Sequence, residues 1–204
     1  MSGRLGVLGG TFDPIHYGHL AIAEEARVRL NLDEVLFVPA GSPPHKTNHI
    51  LTPAPHRLAM LRLATASNPH FTISTIEIDR PGPSYTVDTL TTLRYLGSNC
   101  QSLFFIAGSD ALRDLITWRS PERILQLCTF VVVHRPGITL PSLETLERQL
   151  PRLTSRLIFL EGPRFDLSAT ELRRRIQLGL PIRYQLPEKV RHYITKHHLY
   201  RSSS

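Results

Sequence analysis

Six short apolar runs recur along the 204-residue chain, and stretches of helical period separate them. The runs are RLGVL (Arg4–Leu8), VLFV (Val35–Val38), FTISTIEI (Phe71–Ile78), LFFIA (Leu103–Ala107), TFVVV (Thr129–Val133) and LIFL (Leu157–Leu160). Their length and β-branched content predict strands, and the alternation in FTISTIEI predicts one less-buried face. Helices are predicted over His19–Leu30, Thr86–Leu96, Pro121–Leu127, Ser142–Leu150, Ser168–Leu178 and Pro187–Lys196. Another should open with Thr52 as cap and Pro53 in its first turn, and run to about Ser67. Strand–helix alternation of this kind implies an α/β fold: a doubly wound, mostly parallel sheet with helices on both faces. No linker divides the chain, so a single domain is expected over residues 1–201, followed by a flexible tail at 202–204. In such sheets ligands bind beyond the carboxyl ends of the strands, near the switch in strand order.

Composition narrows the setting. No apolar run reaches the roughly 18 residues of a membrane span, and MSGRLGVLGG lacks the features of a signal peptide. Cys100 and Cys128 show no metal-ligand spacing, and Cys128 reads as a small core residue. A cytoplasmic, reducing location is expected, with no membrane partner. The net charge of +7 resides wholly in residues 152–204, which carry 11 Lys and Arg against 4 Asp and Glu; residues 1–151 carry 13 of each. That imbalance suits an anionic ligand, a nucleic acid or an acidic surface. An aromatic fraction of only 7% and the lack of a DNA- or RNA-binding signature argue against nucleic acid.

The segment GGTFDPIHYGHL (Gly9–Leu20) directly follows the first strand. Gly9 and Gly10 permit a sharp turn and a close approach of ligand to main chain. The following helix start offers N–H groups and a positive dipole end to an anion. His16 and His19, three residues apart, can face the same side and stabilise charge growing on a phosphate oxygen. Structural caps, a two-histidine metal site and a plain Asp13-Pro14 turn are the competing readings. The spacing is neither GxGxxG nor a Walker loop.

This segment resembles the G-[GT]-x-F-D-P-x-H-x-G-H signature of the nucleotidyltransferases with an HxGH motif. Four later segments extend the resemblance. VPAGSPPHK (Val38–Lys46) places Lys46 on an exposed turn. In RPGPSYTVDTL (Arg80–Leu90), Ser84 or Thr86 can cap the next helix. AGSDALRDLITW (Ala107–Trp118) sets Asp110 at a helix start and carries the only tryptophan, a candidate for either core or stacking platform. In DLSATELRRR (Asp166–Arg175), Ser168 and Glu171 match a capping box. Successive helical residues lie about 100° apart, so Arg173, Arg174 and Arg175 cannot share one ligand. PPHK, SYTxxTL, GxD, the tryptophan and LSATxLR, in this order over nearly the whole chain, are similar to the bacterial-type nicotinate-nucleotide adenylyltransferase family. One departure is Ala169, where that family usually has a second serine.

The resemblance implies a Rossmann-like nucleotidyltransferase fold and an enzyme joining AMP from ATP to nicotinate mononucleotide, with release of pyrophosphate. It implies that Gly9, Gly10, Thr11, Phe12, His16, His19, Gly108, Asp110, Ser168, Thr170 and Arg173 bind ATP. Asp13, His45, Lys46, Tyr85, Thr86 and Trp118 would bind the nicotinate nucleotide. Among these, His16, His19, Lys46 and Arg173 would be catalytic. Mg²⁺ would be held mainly by ATP phosphates, with no dedicated protein metal site. The chain could be a monomer or a homo-oligomer. A sister transferase acting on nicotinamide mononucleotide or phosphopantetheine, a basic nucleic-acid binder and a nucleotide-sensing pseudoenzyme are the alternatives.

Overall fold

The computed structural model describes residues 3–43, 51–96, 100–134, 142–162 and 166–201. His45, Lys46 and the expected tail at 202–204 lie outside the described residues. Among them, six strands form one sheet: β1 (Gly3–Gly10), β2 (Glu34–Pro39), β3 (Phe71–Ile73), β4 (Cys100–Gly108), β5 (Thr129–His134) and β6 (Leu157–Glu161). Their order is β3-β2-β1-β4-β5-β6, and every neighbouring pair is parallel. The helices are α1 (Tyr17–Arg29), α2 (Ala54–Thr65), α3 (Thr86–Leu96), α4 (Ser109–Asp114), α5 (Pro121–Leu127), α6 (Leu143–Gln149), α7 (Ala169–Gln177) and α8 (Glu188–Lys196).

The two faces of the sheet bury separate cores, which explains why the strands read as near-continuous apolar runs. Leu8, Val131 and Val133 join Ile22, Met60, Leu172, Val190 and Ile194 on the face covered by α1, α2, α7 and α8. Their immediate neighbours Val7, Phe130 and Val132 join Leu90, Leu112, Ile124 and Leu146 on the face covered by α3, α4, α5 and α6. After β6 the chain therefore returns to the first face, and its last two helices close over the side from which it began.

Two expectations need correction. The strand predicted over Phe71–Ile78 ends at Ile73. Its partner β2 ends at Pro39, which has no N–H to extend a ladder. Beyond it, Thr75 Oγ1 bonds Asp79 Oδ2 at 2.6 Å and the Asp79 N–H bonds the Thr75 carbonyl at 2.9 Å, closing a turn. In α2 the cap position belongs to Pro53, with no side-chain bond, so Thr52 does not cap it.

β1 and β4 are where the connections change direction, so the crevice beyond their carboxyl ends is the expected ligand site. Leu8 pairs with Ile106, so Gly10 and Gly108 end their strands side by side.

Cys128 is buried, as its sequence context predicts, with Sγ 3.3 Å from the Ile124 carbonyl. Burial pushes its thiol up to about 12. In a Cys100→Ser variant, Cys128 should therefore stay unlabelled by a thiol reagent at pH 8 while folded and react fully in denaturant.

Candidate active site

β1 runs extended through Gly9 and Gly10, so the sharp turn expected there comes two residues later. Phe12 takes the left-handed conformation (φ 48°), and the Asp13-Pro14 peptide is cis. The Phe12 ring is 1% exposed and packs 5.7 Å from Phe37 and 5.2 Å from His19, centroid to centroid. As a side chain it belongs to the core, and the expected contact with ATP is left to its main chain. A Cβ on Gly9 would meet the Phe105 ring at an ordinary 3.6 Å. Nothing inside the protein demands glycine there; its absence of side chain leaves main chain bare along a cavity.

The carbonyls of this loop are held back by donors from distant segments. Gly10 O accepts from the Ala40 N–H at 2.9 Å, Thr11 O from Arg57 Nη1 at 2.8 Å and Asp13 O from Arg173 Nη1 at 2.7 Å. In a trans peptide the C=O and the following N–H point opposite ways. The N–H groups of Thr11 and Phe12 are thus turned away from Ala40 and Arg57. The Asp13 carboxylate is fully buried and accepts from the Tyr200 hydroxyl at 2.6 Å and the Thr52 N–H at 3.2 Å. Asp13 was expected to touch the nicotinate nucleotide; its side chain instead anchors the loop from within. Arg57, 1% exposed, also gives Nε to the Thr52 carbonyl at 2.9 Å. Burial lowers the Arg57 pKa and the Asp13 charge opposes that shift. Burial, then the same Asp13 charge, drives the Tyr200 phenol upward.

His16 precedes α1 in extended backbone, and its ring stacks on that of His19 at 3.8 Å. The pair shares one side, as the spacing predicts. His16 is only 2% exposed, whereas His19 is half-buried. The His16 N–H donates to His19 Nδ1 at 3.3 Å, so a neutral His19 carries its proton on Nε2. A Cβ on Gly18 would lie 3.0 Å from His16 Nδ1, so glycine at this position makes room for the folded-back ring.

A cavity of about 410 Å³ opens beyond β1 and β4. Gly9, Gly10 and Thr11 form one wall; Tyr85, Thr86 and Trp118 form another. Residues predicted from three separate motifs thus meet in one hollow. Larger hollows of about 550 and 630 Å³ open elsewhere and contain none of the predicted site residues. Trp118 is half-buried and makes edge contacts with Phe105 (5.9 Å) and Phe130 (6.0 Å), so it both extends the core and lines the cavity. The Arg119 guanidinium covers the Tyr85 ring at 4.7 Å and lies 3.6 Å from Asp88. Ser84 does not cap α3: its Oγ accepts from the Gly41 and Ser42 N–H groups at 3.0 and 3.1 Å. Glu77, 8% exposed, lines the same cavity. Burial raises its pKa, opposed by Thr89, Arg80 and Ser84.

The remaining predicted residues sit at element starts. Gly108 is the cap residue of α4 and Asp110 is exposed in its first turn. Ser168 caps α7 by accepting from the Glu171 N–H at 3.2 Å. Only half of the expected capping box forms, because the Glu171 carboxylate pairs with Arg174 at 2.8 Å. Arg173 also bonds Thr170 Oγ1 at 3.2 Å, while Arg175 donates to the Pro181 carbonyl at 2.8 Å. Of the three arginines, Arg173 alone reaches the first loop. His16, His19, Asp13 and Arg173 therefore gather at the start of α1, beside the cavity but outside its lining.

Arg57, Tyr200, Glu77 and Arg119 escaped the sequence reading. A buried arginine or glutamate inside an ordinary amphipathic stretch leaves no local trace, and Tyr200 meets Asp13 across 187 residues of sequence. Arg57→Met should cost about 3–5 kcal/mol, because it strips the Thr11 and Thr52 carbonyls and a buried carboxylate of their cation. A denaturant titration against the wild type measures it.

The model of the cytidylyltransferase-like family matches residues 7–175. A protein of Roseiflexus sp. (strain RS-1), named "Probable nicotinate-nucleotide adenylyltransferase", is 56% identical over 98% of this chain and 99% of its own. A protein of Thermomicrobium roseum with the same name is 49% identical over 98% and 92%. Among solved structures, the Plasmodium falciparum nicotinic acid mononucleotide adenylyltransferase complexed with NaAD superposes with a TM-score of 0.80 at 20% identity, over 97% of both chains. That likeness supports the fold. With a family model spanning most of its length and relatives half identical from end to end, the chain belongs to the cytidylyltransferase-like family, among its nicotinate-nucleotide adenylyltransferases.

Proposed function

We propose that the protein transfers the adenylyl group of ATP to the phosphate of nicotinate mononucleotide, giving nicotinate adenine dinucleotide and pyrophosphate. The observation that carries this reading is the shared cavity, where Gly9, Gly10 and Thr11 meet Tyr85, Thr86 and Trp118 at the switch point of the sheet. The names of the full-length relatives point to the same reaction.

In this reaction an acceptor phosphate oxygen attacks the α-phosphorus of ATP. The bond from that phosphorus to the β-phosphate bridging oxygen breaks, and pyrophosphate leaves with the electron pair. The attacking monoester is already a dianion near neutral pH and needs no general base. The protein's task is alignment and charge neutralisation. Thr11, which lines the cavity, and the main chain of Phe12 would meet the phosphates. His19, with its Nδ1 committed to His16, presents Nε2–H as an oriented donor. Arg173, fixed to the Asp13 carbonyl, brings positive charge to the same loop. Lys46 would add a second cation and His45, its neighbour in sequence, would join it on the nicotinate nucleotide. The pyridine ring would lie against Trp118 with its carboxylate near Tyr85 and Thr86, and Asp110 would accept from ribose hydroxyls. Ser168 and Thr170 border the phosphates from the start of α7.

Among the described residues no three His, Cys, Asp or Glu side chains assemble into a metal site. Mg²⁺ would be held by ATP phosphates and water, where it would supply charge neutralisation on the leaving pyrophosphate. Described helices include none long and apolar enough to cross a membrane.

Pyrophosphate release should be seen with ATP, Mg²⁺ and nicotinate mononucleotide, and more weakly with the nicotinamide analogue; no release with the acid overturns the proposal. His19→Ala should lower turnover by about 10²–10³ while its circular-dichroism spectrum stays that of the folded protein. A fully active, normally folded variant would remove His19 from the mechanism.

A further inference from the structure

Among the described residues that line the cavity beyond β1 and β4, Glu77 and Asp114 are acidic and Arg119 is the only cation. Both carboxyls have partners of their own: the Thr89 hydroxyl lies 2.7 Å from Glu77 Oε1, and Arg113 lies 3.8 Å from Asp114. The guanidinium of Arg119 is committed less firmly.

Backbone geometry places this side chain. Trp118 is extended (φ −72°, ψ 157°), Ser120 takes the left-handed conformation (φ 51°) and Pro121 opens α5. Neighbouring side chains along extended backbone diverge. The Trp118 ring packs toward Phe105 and Phe130, while the Arg119 side chain crosses to the start of α3 and lies over the Tyr85 ring at 4.7 Å. Asp88, in the first turn of α3, stands 3.6 Å from Arg119 Nη1. That contact is longer than the roughly 2.7–2.9 Å of a charge-assisted hydrogen bond. A guanidinium has five N–H donors and no acceptor. Among the described residues, no hydrogen bond uses one of Arg119's donors, so Tyr85 and Asp88 fix where the charge sits and leave its N–H groups for a ligand.

We infer that Arg119 determines acceptor specificity: its guanidinium pairs with the ring carboxylate of nicotinate mononucleotide and favours the acid over the carboxamide. The inference rests on the adenylyl-transfer reading, which sets the pyridine ring against Trp118. Carboxylate and carboxamide have nearly the same shape, so steric fit cannot separate them. A carboxylate presents two acceptor oxygens to the guanidinium fork and receives charge-assisted bonds, about twice as strong as neutral ones. A carboxamide offers one oxygen and turns an NH₂ donor toward a group that can only donate. Holding the guanidinium over Tyr85 before the ligand arrives lowers the entropy cost of ordering a long side chain on binding.

The test compares the wild type with Arg119→Gln and Arg119→Lys, using the acid and amide mononucleotides. Steady-state kinetics are measured with ATP and Mg²⁺. Binding of each mononucleotide alone is followed by quenching of Trp118, the only tryptophan in the chain. Arg119→Gln should lower kcat/KM for the acid about tenfold, while the value for the amide and KM for ATP stay within about twofold. Arg119→Lys keeps the charge without the fork and should fall between the two. Half-saturating concentrations in the quenching titrations should shift in the same order. An unchanged acid preference in Arg119→Gln would overturn the inference. So would an equal loss for acid and amide, which would make Arg119 a part of the wall alone, or a lysine variant no better than the glutamine one. A wild type that releases pyrophosphate with neither mononucleotide overturns the functional reading, and quenching then judges Arg119 by itself. Tighter quenching by the acid that is lost in Arg119→Gln upholds its role, and the lack of any such preference in the wild type overturns it.

Discussion

The buried Asp13 carboxylate is the fastening on which the site depends. A carboxylate removed from water is tolerable only when its oxygens are bonded and a cation lies near. Tyr200 and Thr52 supply the bonds, and Arg57 supplies the charge. The same guanidinium takes the Thr11 carbonyl, and Arg173 takes that of Asp13. A loop that must offer N–H groups to an anion has to put its carbonyls somewhere, and here two arginines and the Ala40 amide receive them. Positive charge is thereby combined with backbone orientation in the same side chains.

The sheet supplies the second half of the arrangement. The strand order places the glycine-bearing end of β1 next to the Gly108 end of β4, and the connections leave these two strands in opposite directions. No side chain from an overlying helix has to fill the gap between them. Tyr85, Thr86 and Trp118 reach the crevice from the far side, and α7 comes back over the near side. Two motifs separated by about 150 residues of chain thus become neighbours through topology rather than through any local preference.

Much of this was legible in the sequence, for identifiable reasons. Strands buried on both faces read as apolar runs, so five of the six strands are legible to within three residues at each end. FTISTIEI failed because its alternation continues past the point where Pro39 ends the partner strand; pairing, not propensity, set its length. Tyr85, Thr86 and Trp118 were recoverable from motif order, and the structure gathers them in one cavity with Gly9–Thr11. Asp13, by contrast, was assigned to ligand because a motif shows which residues matter without showing which way they face. The same holds for Phe12, whose ring turns into the core while its main chain stays in the loop. The cap offered by Ser84 or Thr86 is not decided by sequence, because the amides that Ser84 binds, at Gly41 and Ser42, lie more than 40 residues away.

The bond between Tyr200 and Asp13 has a temporal meaning as well. During synthesis the first strand and its loop leave the ribosome long before residue 200 is made, and α7 with Arg173 also follows late. Until then Asp13 lacks its phenol and the loop lacks one of its guanidiniums. The anchoring of the loop is thus completed only once residues made late in synthesis dock against residues made early.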